Sequence, residues 1–233
     1  MGEFIEVSIL IQTAVGKTGG PDCTESACDT ANQNAPCIPT GLSSARASVS
    51  DTFRQTLDRL GIDDYVLRER VILIHAPGTR FSTTKLDILV VSPFGAFVVM
   101  AMQLRGRVAP GPDAETISVV NEEREAMLHT SPLRRQAAAV RCLRPLLLQH
   151  ACLVESLAVA ATPPCALHPL LPESILEADE LYHYLRLRTI RFFSSRQRHV
   201  SVARVVDAIE SRIDSRPEAF DEHCARMIAF RPR

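Results

Sequence analysis

Residues 83–106, TTKLDILVVSPFGAFVVMAMQLRG, constrain this chain more than any other stretch. LDILVV and AFVVMAM are strand-length apolar runs, and SPFG between them puts Pro93 and Gly95 at turn-favoured positions, so the segment predicts a hairpin. A single acid, Asp87, sits inside the first strand. Met100 and Met102 lie two residues apart on the second and therefore share one strand face. The hairpin sets an acid opposite two neutral thioethers.

The flanking sequence predicts the rest of an α/β domain. From Ser48, SVSDTFRQTLDRLG places Phe53, Leu57 and Leu60 at helical spacing and closes at Gly61. YVLRERVILIHA (65–76) reads as a strand entering a core, and GTRF as the turn before the hairpin. The stretch 107–130 is polar, with two acidic clusters. Ser131 is a natural N-cap and Pro132 a natural first helical residue, which predicts a helix over 132–149. ESLAVAATPP (155–164) reads as a strand. LEADELYHYLRLR and SVARVVDAIESRI read as helices separated by the basic stretch RFFSSRQRHV. The order α-β-β-β-α-β-α-α implies a mixed sheet with helices on its faces. Residues 17–46 are rich in Gly, Pro, Ser, Thr, Asn and Asp without apolar period, so residues 1–46 read as a flexible N-terminal segment and 47–233 as the folded domain.

Composition narrows the class. At 233 residues the chain suits one domain, and 46% hydrophobic with 23% charged residues is close to the globular average. The longest apolar stretch, 145–161, is interrupted by Gln149, His150 and Glu155 and falls short of the roughly 20 residues of a membrane span. The acidic flank of the N-terminal apolar run, Glu3 and Glu6, is the wrong sign for a secretory signal. Seven scattered cysteines imply reduced thiols and a cytoplasmic location. A net charge of −1 gives no global attraction to nucleic acid. Lys17 and Lys85 are the only lysines, so chemistry that needs one has two candidates.

Two local motifs carry little. AVGKTGG ends like a phosphate-binding loop, but the first glycine of that pattern would be residue 11, which is Ile11. Cys23, Cys28 and Cys37 have no nearby histidine to complete a tetrahedral metal site. A third is more informative. Arg186, Arg188, Arg191, Arg196, Arg198 and His199 are interleaved with Phe192 and Phe193, a composition that suits phosphate contacts plus stacking and equally suits solvated arginines around core phenylalanines.

The hairpin, FSTTKLDILVVSPFGAFVVMAMQLRGRV, resembles the nuclease-related domain (NERD) family, whose hallmark is a threonine-led strand bearing an Asp, a VSP-G turn, and a strand reading FVIE-x-K before a Lys/Arg-Gly pair. Thr83, Thr84, Asp87, Val91, Ser92, Pro93, Gly95, Phe97, Val98 and Gly106 stand at matching positions. The likeness extends more weakly from the helix near residue 50 to the one ending near 213. It implies a restriction-endonuclease-like fold of the PD-(D/E)XK type. In that chemistry two carboxylates converge on Mg²⁺, and a lysine positions or deprotonates the attacking water. Asp87 takes the Asp position, but Met100 stands where the family has Glu and Met102 where it has Lys. Ser50, with Asp51 adjacent, occupies the site of a further Glu. The Asn-Pro-x-x-Gln helix start has become Ser131-Pro132, with Arg135 in the Gln position and Gln136 one residue late.

The resemblance therefore implies a pseudo-nuclease without a cofactor, serving as a DNA-binding or protein-interaction module. Its nucleic-acid contacts would be Arg134, Arg135, Arg186, Arg188, Arg191, Arg196 and Arg198. The alternative is an active Mg²⁺-dependent nuclease in which Asp87 binds the metal and Lys85, two residues away on the same strand face, supplies a migrated cation. Asp51, Asp113, Glu115, Glu122 or Glu123 would then be the recruited carboxylate.

Overall fold

The apolar runs at 71–74, 86–91 and 96–102 become consecutive antiparallel strands because their side chains alternate between two helical layers. The computed structural model describes residues 40–79, 82–121, 123–161, 165–195 and 199–229, with side chains from Ser48 onward. It is a mixed α/β fold with two mixed sheets flanked by helices.

The larger sheet has the order β1 (Val66–Ile74), β2 (Thr83–Ser92), β3 (Gly95–Met102), β7 (Val154–Ala160), β9 (Ile175–Glu177). Its first three strands are antiparallel and its last three parallel. The smaller sheet has the order β6 (Ala126–Thr130), β5 (Thr116–Val120), β4 (Gly106–Pro110), β8 (Cys165–Leu167).

On one face of the larger sheet, Leu89, Val91, Ala96 and Val98 meet Ala139, Leu143 and Leu147 of α2 (Pro132–Leu147) and Val205 and Ile209 of α4 (Val202–Glu210). On the other, Ile88, Val90, Phe97 and Val99 meet Val49, Phe53 and Leu57 of α1 (Thr40–Arg59) and Leu181, Leu185 and Phe192 of α3 (Leu181–Ser194). A third cluster, built on Met102, Val108, Val119, Ala160 and Ile175, joins the two sheets. Each fully buried Leu or Phe among these contributes about 1.5–3 kcal/mol, so the three clusters hold the hairpin rigidly in the centre.

Several elements depart from the sequence pattern. α1 begins at Thr40, within the stretch whose composition predicts loose structure, while residues 1–39 lie outside the described residues. The polar stretch 107–130 is three strands, β4 to β6, whose inward residues are Val108, Ile117, Val119 and His129 and whose turns carry the acids. α3 runs through Phe192 and Phe193 to Ser194, and α5 (Ala219–Ala229) follows α4. Ser131 does precede α2 with Pro132 in its first turn, yet its hydroxyl makes no cap bond; its backbone N–H donates to Glu115 O at 2.7 Å. Cys142, Cys152 and Cys165 are free thiols, but Cys224 is disulfide-bonded, contrary to the all-reduced expectation. The phosphate-loop-like segment, Cys23, Cys28, Cys37, Glu122, Arg196 and Arg198 lie outside the described residues. Among those described, no helix is long and apolar enough to cross a membrane.

Candidate functional site

The SPFG turn closes the hairpin with Ser92 opposite Gly95, and Ser92 Oγ donates to Gly95 O at 3.0 Å. From that turn the register counts down through Val91↔Ala96 and Leu89↔Val98 to Ile88↔Val99. The ladder between β2 and β3 ends there; Asp87 lies one residue beyond it on β2, and Met100 and Met102 pair with Ala158 and Ala160 of β7. The alternation on β2 breaks at this point: Leu86 packs on the α2 side together with Leu89 and Val91, and Lys85 Nζ lies 5.5 Å from the centre of the Phe220 ring of α5.

The chemistry of the occupants differs from that of the resembled motif. Met102 is 4% exposed inside the cluster joining the sheets, and Met100 is half-buried. Lys85 Nζ lies 3.7 Å from Asp87 Oδ1, with the carboxylate side chain 14% exposed. On α2, the Arg135 guanidinium feels the same acid: burial pulls its pKa down from the usual value, and attraction to Asp87 opposes that. On the other side of Asp87, β1 departs from the ladder. The pairs Glu69↔Ile88 and Val71↔Leu86 bracket Arg70, which faces Asp87 in a left-handed conformation at φ 55. Such a conformation costs a side-chain-bearing residue about 1 kcal/mol or more. Arg70 stacks over the Phe220 ring of α5 at 4.3 Å.

Two histidines feel this cation field. His129 on β6 is 9% exposed; burial first, and Arg135 second, hold its pKa below the usual value, and its Nε2 has no hydrogen-bond partner among the described residues. His223 on α5 is likewise lowered, by burial and then by Lys85, Arg226 and His75, and its Nδ1 lies 2.9 Å from Thr83 Oγ1. Both therefore stay neutral at pH 7. Sequence reading missed them, because β6 was hidden in a polar stretch and α5 lacks a strong apolar period.

The acids considered as recruits lie as follows. On α1, Ser50 faces inward, 0% exposed and with its Oγ lacking a partner among the described residues, whereas Asp51 is exposed and pairs with Arg54 at 2.9 Å. Asp113 caps the β4–β5 turn, accepting from Glu115 N at 2.9 Å and Thr116 Oγ1 at 2.8 Å. Glu115 pairs with Arg134 Nε at 3.2 Å, and Glu123 is exposed in the β5–β6 turn. Among the described residues, no group of three or more His, Cys, Asp and Glu could hold a metal ion.

Among the described residues, the arginines expected to contact nucleic acid do not share a surface. Arg134 and Arg135 lie on α2, on one face of the larger sheet; Arg186, Arg188 and Arg191 lie on α3, on the other. Arg188 is held inward by a second polar cluster that sequence reading did not assemble. Tyr184 donates its hydroxyl to Glu155 Oε2 at 2.9 Å, Arg188 Nη2 donates to Tyr184 Oη at 3.0 Å, and Arg188 Nε lies 3.1 Å from the same carboxylate oxygen. Burial pushes the Tyr184 phenol up to about 12, with the carboxylate adding to the effect, so it remains a donor at any physiological pH. Arg186 and Arg191 are exposed. Comparison of the chain with protein-family models, curated proteins and solved structures found no match.

Proposed function

We propose that this chain is a nuclease-related domain of the restriction-endonuclease-like class whose metal site has been closed, and that it now serves as a DNA-binding module. The observation that carries the reading is the pairing of Asp87 with Lys85 at 3.7 Å and its attraction to Arg135, on a hairpin that resembles the motif in sequence. A hard divalent cation needs several oxygen ligands and a net negative site. Among the described residues Asp87 is paired with Lys85 and attracts Arg135, and the Glu and Lys positions of the resembled motif hold Met100 and Met102, thioethers that are soft, neutral and weak acceptors. The donor set does not fit Mg²⁺. The cations gathered around Asp87 favour an anionic neighbour over a further cation.

The test is retention of linear duplex DNA by the purified full chain as salt is raised. The expected result is binding near 50 mM salt that weakens steeply towards 200 mM, because phosphate contacts release counterions. Absence of retention at low salt overturns the DNA reading and leaves protein interaction as the role of the fold. A second reading, an active Mg²⁺-dependent nuclease, is favoured by one feature: Lys85 and Asp87 do stand side by side. That reading requires cutting that disappears with Asp87.

A further inference from the structure

On the α1/α3 side of the larger sheet, across from Asp87, a cavity of about 190 Å³ opens where the hairpin turn, the start of β7 and the end of α3 meet. Its floor is apolar: Phe94, Phe97 and Phe192 are 6%, 2% and 6% exposed. One wall is the carboxylate of Glu155 with Arg188, and Arg191 stands beside them, exposed and with no side-chain partner among the described residues. Resting on the DNA-binding reading, we propose that this cavity receives a single unpaired nucleobase carrying an amino group, with the adjoining phosphate on Arg191.

Three features of the cavity select that ligand. The first is size. Sites for whole small molecules run to about 300–1,000 Å³, so 190 Å³ admits one flat ring system while sugar and phosphate stay outside. The second is the acid. Glu155 Oε2 is fixed by Tyr184 and Arg188, whereas Oε1 has no partner among the described residues. That oxygen can only accept, so an occupant that brings an N–H donor is favoured. Cytosine, adenine and guanine carry an amino group on the pairing edge; thymine offers one N–H between two carbonyl oxygens that a carboxylate disfavours. The third is the pairing of apolar rings with guanidinium planes, which holds bases by stacking while a neighbouring arginine takes the phosphate. The Arg and Phe interleaving of α3 in the sequence thereby acquires a use: Arg188 and Phe192 build the cavity, and Arg191 serves its mouth.

The experiment measures fluorescence anisotropy of labelled oligo-dC and oligo-dT of about 12 nucleotides with the full chain at low salt. The expected result is oligo-dC bound about tenfold more tightly than oligo-dT, the scale of one hydrogen bond to a charged group. Glu155→Gln should bring the two affinities to within about twofold, because the amide offers a donor to thymine as well. Arg191→Ala, at an exposed helix position where misfolding is no concern, should weaken both oligonucleotides several-fold and reduce the log–log salt slope by about 0.7. Equal binding of the two by the wild type, a preference that survives Glu155→Gln, or Arg191→Ala binding like wild type each overturns the inference. Duplex retention without single-strand binding overturns it too and leaves the proposed function standing. No retention of any DNA removes both.

Discussion

Replacing Asp87 by Asn separates a structural acid from a catalytic one. In this fold the Asp87 carboxylate lies 3.7 Å from Lys85 Nζ and attracts Arg135, with the Asp87 and Lys85 side chains 14% and 27% exposed. At an effective dielectric of about 20, that separation corresponds to about 4 kcal/mol of attraction for the Lys85 pair alone. Much of it is offset by the cost of taking the groups out of water, but removing the acid takes a partly buried counter-charge from Lys85 and Arg135. The net loss works out at about 1–3 kcal/mol. For a domain of this size that lowers Tm by about 2–10 °C. Thermal and urea unfolding of the full chain, followed by far-UV circular dichroism, measure it directly. Arg135→Gln in the Asp87→Asn background should then cost less than the sum of the single changes, by about 1 kcal/mol, since the acid and the guanidinium share one interaction. A carboxylate kept for catalysis behaves oppositely, because active sites store repulsion and relax when an acid is removed. If Asp87→Asn leaves Tm unchanged or raises it, the reasoning that Asp87 has become a structural counter-ion is wrong.

Three further outcomes follow from the same geometry. Gly106, at φ 102, passes so close to Val120 that a Cβ would collide with the Val120 carbonyl oxygen, so Gly106→Ala should destabilise by more than about 2 kcal/mol in urea unfolding. Ser50→Ala removes a buried hydroxyl without a partner among the described residues, and the same assay should find it neutral or up to about 1 kcal/mol more stable. His129 and His223 both have folded pKa values below the usual one, so the unfolded chain takes up their protons first, near pH 6.5. Stability is therefore full above about pH 6.5 and falls on acidification below it; His223→Gln should shallow that slope, measured as urea midpoints between about pH 7.5 and 5.5.

The hairpin was legible because two kinds of evidence agree on it: period-two apolar runs fix the strands, and SPFG fixes the turn, so the register from Ser92↔Gly95 to Ile88↔Val99 follows by counting. α2 was legible from Ser131-Pro132 and its apolar spacing. The smaller sheet was not. Each of β4, β5 and β6 is five residues long, with two or fewer fully buried side chains, and its turns hold most of the charge, so polarity masked the alternation. That hid His129 from the site. The choice between Ser50 and Asp51 was within reach: Val49, Phe53 and Leu57 define the buried stripe of α1, and Ser50 falls inside it while Asp51 turns outward. Charge pairing across elements is a different matter. That Arg135 feels Asp87, or that Glu155, Tyr184 and Arg188 form one network, depends on tertiary approach that no spacing in the chain encodes.

On the proposed reading, the frame of a nuclease site is kept while its metal chemistry is lost. Incubating the full chain with plasmid and linear DNA in Mg²⁺ or Mn²⁺, beside Asp87→Ala, tests it most directly. The account predicts DNA that is bound but uncut, with no difference in cleavage between the two proteins; cutting by the wild type that vanishes in Asp87→Ala would contradict it.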